Sequence, residues 1–110
     1  MSYDIDLRID TGGEWPAVVH DVGNMTSNLS PMWMRALGRP LSSLDGMLCS
    51  AAEKLLAPAV AHLSDPANAK VYESMNPPNG WGDHEAAVRY LSDLLDGCRT
   101  HPKATIRVSC

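Results

Sequence analysis

Tyr3-Asp4-Ile5-Asp6-Leu7-Arg8-Ile9 alternates apolar and polar side chains without a break, and that alternation decides the fold. Successive side chains of a strand point to opposite faces, so Tyr3, Ile5, Leu7 and Ile9 share a face suited to burial. Asp4, Asp6 and Arg8, followed by Asp10, line a solvated and mostly acidic one. Thr11-Gly12-Gly13-Glu14 then supplies a turn, because glycine accepts the positive φ of a tight connection. A second strand runs from Trp15 or Ala17 to Val22, with Ala17, Val19 and Asp21 on one face and Val18, His20 and Val22 on the other. The economical reading is a β-hairpin.

The far end of the chain answers this hairpin. Ala104, Ile106 and Val108 alternate with Thr105, Arg107 and Ser109, which predicts a closing strand beside the first. Helical signals fill the space between. Gly23 to Ser30 reads as a polar loop ending in Ser30-Pro31, an N-cap followed by proline at the first helical position. A short helix, Pro31 to Leu37, stops at Gly38 with Pro40 beyond. Leu41 to Gly46 links to a main helix over Met47 to Leu63, where Leu48, Ala52, Leu55, Ala59 and Leu63 recur at helical spacing and Leu56 and Val60 widen the stripe. Pro58 lies inside it and is expected to kink or split it. Asp65-Pro66 starts a further short helix through Tyr72. Asp83 caps the last helix, which carries Ala87, Val88, Leu91, Leu94, Leu95 and Cys98 on one face and ends at Gly97 and His101-Pro102. The expected fold is α+β: one domain, 1–110, whose small antiparallel sheet (N-terminal hairpin plus C-terminal strand) is covered on one face by three or four helices.

Composition narrows what such a domain can do. A net charge of −4, with Lys and Arg scattered singly, argues against a nucleic-acid-binding surface, which needs clustered cations. The longest apolar stretch, Ala51 to Leu63, contains Glu53, Lys54, Pro58 and His62, so no membrane span is expected. The acidic, alternating start of the chain is unlike a secretory or transit signal. Three cysteines (Cys49, Cys98, Cys110) form an odd count with no close spacing, which suits reduced thiols in a cytoplasm. Phenylalanine is absent, and every aromatic residue present is a Trp or Tyr with a polar atom to satisfy.

Two stretches concentrate chemistry. In Gly23-Asn24-Met25-Thr26-Ser27-Asn28-Leu29-Ser30-Pro31-Met32-Trp33, unpaired N–H groups at a helix start stand among amides, hydroxyls and an indole, with Arg35 and Arg39 following. Amides and hydroxyls read the edges of a base or sugar, an indole stacks, and arginine takes phosphate. In Asn76-Pro77-Pro78-Asn79-Gly80-Trp81-Gly82-Asp83-His84-Glu85, prolines stiffen the approach and glycines flank a Trp. Its Asp83 and Glu85 suit ribose hydroxyls or a positive group better than phosphate. Each stretch also has a purely architectural reading, Ser30 as a cap with Asx turns at Asn24 and Asn28, and Trp81 as a buried pin. His84 beside Asp83 or Glu85 is the one general-base candidate, since no G-x-S-x-G, H-E-x-x-H or Gly-rich phosphate loop occurs. No C-x-x-C or H-x-x-x-H pair points to a metal, and no cofactor is expected.

The runs Asn24–Trp33 and Met75–Gly82, and the tail His101–Val108, resemble those of small uncharacterised proteins of actinobacteria and their bacteriophages. The resemblance carries no catalytic residue; it implies a phage or prophage accessory protein in a bacterial host cytoplasm, acting by binding. The expected function is therefore a non-catalytic, nucleotide-like small-molecule binder, a homo-oligomer that sequesters a host signal. Its pocket would join Asn24, Thr26, Asn28, Ser30, Trp33 and Arg35 to Asn79 and Trp81. One alternative is an interaction module presenting Trp15, Met25, Met32, Trp33 and Met34 to a host protein. The other is a small enzyme using His84 with Asp83 or Glu85.

Overall fold

The computed structural model of the chain describes residues 2–110. The alternating segments form the strands β1 (Ser2–Ile9), β2 (Ala17–Thr26) and β3 (Thr105–Ser109), joined in one antiparallel sheet of order β2-β1-β3. Four helices follow the hairpin: α1 (Ser30–Leu37), α2 (Cys49–Ser64), α3 (Ala69–Glu73) and α4 (His84–Thr100). This is an α+β fold with the closing strand beside the first, as the alternation predicts. Ile5, Leu7 and Ile106 are fully buried on the inner face of the sheet. On the other face Asp4, Asp21, Thr105 and Arg107 are exposed, so the helices cover one face alone.

α4 buries Ala86, Ala87, Tyr90, Leu91, Leu94, Leu95, Gly97 and Cys98 between the sheet and α2, while Val88 of the expected face is only half-buried. Gly97 does not end this helix; it sits inside it because the sheet comes too close for a side chain. A Cβ there would lie 2.7 Å from His20 Cδ2 and 2.9 Å from Leu7 Cδ1. α2 packs against α4 and α1. Its buried stripe is Cys49, Ala52, Leu56, Ala59 and Leu63, one residue out of step with the expected stripe at two positions: Leu48 is 47% exposed outside the helix and Leu55 only half-buried. Pro58 faces solvent and α2 runs through it unbroken, so the missing hydrogen bond falls on the wet side.

Two further departures have clear causes. β2 continues four residues past Val22, because Gly23, Asn24, Met25 and Thr26 find partners in Ile5, Asp4, Tyr3 and Ser2. Register shifts at Ile5/Asp6 and Leu7/Arg8 leave Val22 and Val19 as extra residues, and both turn toward the core. The link Leu41–Gly46 holds a 3-10 turn, Leu41–Leu44, that buries both leucines. Beyond it, Gly46 N and Cys49 N donate to Ile106 O and Ala104 O (2.8 Å each), and Ile106 N to Met47 O (2.9 Å). The outer edge of β3 is thereby covered.

The core without phenylalanine solves its polar problem locally. Trp33 Nε1 donates to Ala87 O at 3.3 Å, Tyr90 OH to Gly23 O at 2.7 Å, and Tyr72 OH lies 2.6 Å from His62 Nδ1. Burial, with Asp4, Asp21 and Asp93 nearby, pushes the Tyr90 phenol well above its usual range.

Candidate functional site

The first turn is half strand. Asn24 sits in the ladder opposite Asp4, exposed, its Nδ2 donating to Ser2 Oγ at 2.8 Å. Thr26, rather than Ser30, is the cap: its Oγ1 accepts from Asn28 N at 3.3 Å and starts a 3-10 turn over Ser27–Leu29. Ser30 is already helical, and its hydroxyl donates to Ser27 O at 2.6 Å and lies 3.1 Å from Tyr3 OH. Trp33 is fully buried, edge-on to Tyr3 (5.7 Å, 76°) and tilted over Tyr90 (5.6 Å, 38°). Its indole therefore belongs to the core and has no face left for a ligand. Arg35 is exposed in the last turn of α1.

The second turn is rigid and turned outward. Asn79 Oδ1 accepts from Trp81 N (3.0 Å) and Gly80 N donates to Pro77 O (3.2 Å), leaving Trp81 65% exposed rather than pinned in the core. The two turns do meet, at Gly82. With φ +90°, it lies so close to the first turn that a Cβ would stand 2.9 Å from Thr26 Cγ2 and 3.1 Å from Leu29 Cδ1. The meeting is a packed seam. The side chains of Asn24, Thr26 and Ser30 are engaged within the fold, Asn28 is exposed, Trp33 points inward and Trp81 outward, so these residues do not converge on a single cavity.

A cleft of about 490 Å³ opens instead on the other side of the second turn, where α2 ends and α4 begins. The carboxylates of Glu73, Asp83 and Glu85 line it against one guanidinium, Arg89, with Ser64, Asn76 and His84 as neutral polar groups. Asp83 also caps α4 as expected, its Oδ1 accepting from Ala86 N at 2.8 Å. His84 is held from two directions. Its backbone N–H donates to Asn76 Oδ1 (2.8 Å), and its Nε2 lies 2.6 Å from Leu63 O, a carbonyl that the end of α2 leaves unpaired. A carbonyl only accepts, so Nε2 carries the hydrogen and neutral His84 has its lone pair on Nδ1.

Beneath the imidazole lies Tyr72, fully buried and stacked on it at 5.3 Å and 12°, with His62 edge-on at 5.6 Å on the same phenol ring. Burial pushes the Tyr72 phenol up, and the charge of Arg35 pulls it partly back. The expected pairing of His84 with Asp83 or Glu85 is not formed: among the described residues the one His–carboxylate contact is His20 Nε2 to Asp93 Oδ1, 3.2 Å. Leu63, Tyr72 and Asn76 hold His84, and periodicity does not single out any of the three for that task.

Of the residues assigned to a host-protein surface, Trp15 (76%) and Met34 (47%) are exposed, Met25 is half-buried, and Met32 and Trp33 are core. Cys49 and Cys98, distant in sequence, are both buried free thiols, and burial raises both. Among the described residues no three His, Cys, Asp or Glu side chains gather as a metal-ligand set, and no helix is long and apolar enough to cross a membrane. Comparison with family models, with curated proteins and with solved structures finds no match to this chain, so the functional reading rests on the cleft over His84.

Proposed function

We propose that this domain is a non-catalytic small-molecule binder whose site is the cleft between the end of α2, α3 and the start of α4. The observation that supports it is the cleft itself, about 490 Å³, within the range of small-ligand sites. Its floor is preformed, since His84 is fixed by two hydrogen bonds and a stacked ring before any ligand arrives. Less ordering on binding leaves more of the contact energy as affinity.

The lining narrows the nucleotide-like expectation. Three carboxylates against one guanidinium repel a polyphosphate and favour hydroxyls or a cationic amine. A nucleoside fits this pattern: ribose hydroxyls donate to Glu73 and Glu85, His84 Nδ1 accepts one more hydrogen bond, and Val88 offers the base an apolar contact. Sequestration of such a molecule in a bacterial host cytoplasm, as a phage accessory protein, is part of this proposal. Binding is favoured over general-base catalysis because no carboxylate orients the His84 imidazole.

Thermal shift with nucleosides, nucleotides, polyols and amines tests the reading. A ligand at 100 times its Kd adds about 2.7 kcal/mol of stability, a rise in melting temperature of roughly 10 °C or more for a chain of this size. The rise should vanish in Glu73→Gln/Glu85→Gln. A panel that leaves the melting temperature and the His84 ring resonances unmoved refutes it.

A further inference from the structure

The open face of the sheet is ordered in cross-strand rows. Register places Asp21, Asp6 and Arg107 in one row across β2, β1 and β3. The next row is Val18, Arg8 and Thr105, continued by Leu48, which bridges to Thr105 beyond the sheet edge. Directly opposed residues point to the same side, and no helix covers this one. Val18 is 52% and Leu48 47% exposed, which makes them two of the few large apolar side chains left in water.

The charges in these rows are unequally satisfied. Arg8 is spent on Asp6, Nε donating to Oδ1 at 2.7 Å and Nη2 to Oδ2 at 3.1 Å. Arg107 has no ion-pair partner among the described residues, and Asp21 uses only Oδ1, for Gly23 N. An unpaired cation thus stands on the β3 side and a carboxylate with a spare oxygen on the β2 side, each one strand, about 4.8 Å, from β1.

We propose that this face is a self-association surface whose occupant is a second copy of the chain, packed face to face about a two-fold axis along β1. Such an axis exchanges the places of β2 and β3. Asp21 of each copy then meets Arg107 of the other, and Val18 meets Thr105 and Leu48, each contact occurring twice. On the axis each outward residue of β1 meets its own copy: Asp6 and Arg8 neutralise each other within each copy, and the exposed Asp4 pair is a repulsion that weakens the association. Alignment of two sheets in this way is the ordinary packing of a β-sandwich. Neither a polyanion nor a basic partner matches a row with Asp at one edge and Arg at the other; its own rotated copy does.

Eight residues of β1 by three strands give a face of about 400 Å² per copy, half of a standard interface. The association is accordingly reversible, with a dissociation constant on the order of 10–100 μM. Sedimentation velocity on the full chain from about 5 to about 500 μM should show the mass rise from 11.9 kDa toward twice that value. Asp21→Arg and Arg107→Asp should each weaken it at least about tenfold, because each turns both cross-copy pairs into like charges. Asp21→Arg/Arg107→Asp in one chain should restore it. Val18→Asp, at a site already exposed, should weaken it independently of those charges. A monomer over the whole range overturns the proposal, as does a dimer indifferent to the single reversals or a double variant no better than either single one.

Discussion

Gly97→Ala sets two known effects against each other inside α4. In an open helix the change is favourable, by up to about 1 kcal/mol, because alanine loses less backbone entropy than glycine. Here the new methyl lands 2.7 Å from His20 Cδ2, 3.1 Å from His20 Cγ and 2.9 Å from Leu7 Cδ1. The His20 side chain is 29% exposed and has room to swing, at the cost of its contact with Asp93. Leu7 is fully enclosed and has none. Forcing one methyl into such a contact costs about 1–3 kcal/mol, so overpacking wins by roughly 1–2 kcal/mol. The melting temperature should fall by about 4–12 °C, and the urea midpoint should drop with an unchanged slope. A companion Leu7→Val should recover part of the loss in Gly97→Ala, since the two act through one contact. If Gly97→Ala is as stable as the parent or more so, α4 does not lie on the sheet at this distance and the packing account fails.

Other substitutions separate core from surface. Trp33→Ala should cost about 3–5 kcal/mol in urea unfolding, and Trp33→Phe clearly less, whereas Trp81→Ala should stay within about 0.5 kcal/mol. Pro58→Ala should stabilise the chain by about 1–3 kcal/mol, read as a higher melting temperature, because it returns an N–H to an intact helix. Tyr72→Phe should cost about 1 kcal/mol and broaden the His62 ring signals in NMR while leaving those of the stacked His84 in place, since the lost hydroxyl is the partner of His62 Nδ1. High pH should unfold the protein. The ordinary values are 9.0 for Cys49 and Cys98 and 10.0 for Tyr72 and Tyr90, and burial raises all four in the folded state. Their stabilisation is complete below those values and is lost above them, as the unfolded chain sheds protons the folded one keeps. Melting temperature should therefore hold from pH 7 to about 9 and fall beyond it, with Tyr72 and Tyr90, followed by their ring resonances, ionising only together with unfolding. Ionisation of Tyr72 or Tyr90 near pH 10 in a still-folded protein contradicts this.

The sheet was legible because period-two alternation in Tyr3–Ile9 and Ala104–Ser109 states both the conformation and the buried face. The caps at Asp65 and Asp83 were legible for the same local reason, a short acid ahead of a helix. What failed was whatever depends on distance in space. Gly97 reads as a stop signal until a sheet is placed over it, and Trp33 and Trp81 read alike although one is core and the other solvent-exposed. The cleft was named only in part. Asp83, His84 and Glu85 lie together in sequence, but Glu73, Ser64 and the carbonyl of Leu63 arrive from other helices.

The irregular pairing of β2 has a consequence for the chain in a crowded solution. Among the described residues β2 is the long strand with one side unpaired, about half of its ten residues directing backbone donors and acceptors away from β1. A regular edge of that length invites any extended peptide to zip along it and seed fibrous growth. The bulges at Val19 and Val22 put its donors out of step twice, so an added strand keeps register for only a few residues before it must break. The same two valines that fill the core thus act as a guard against runaway strand addition.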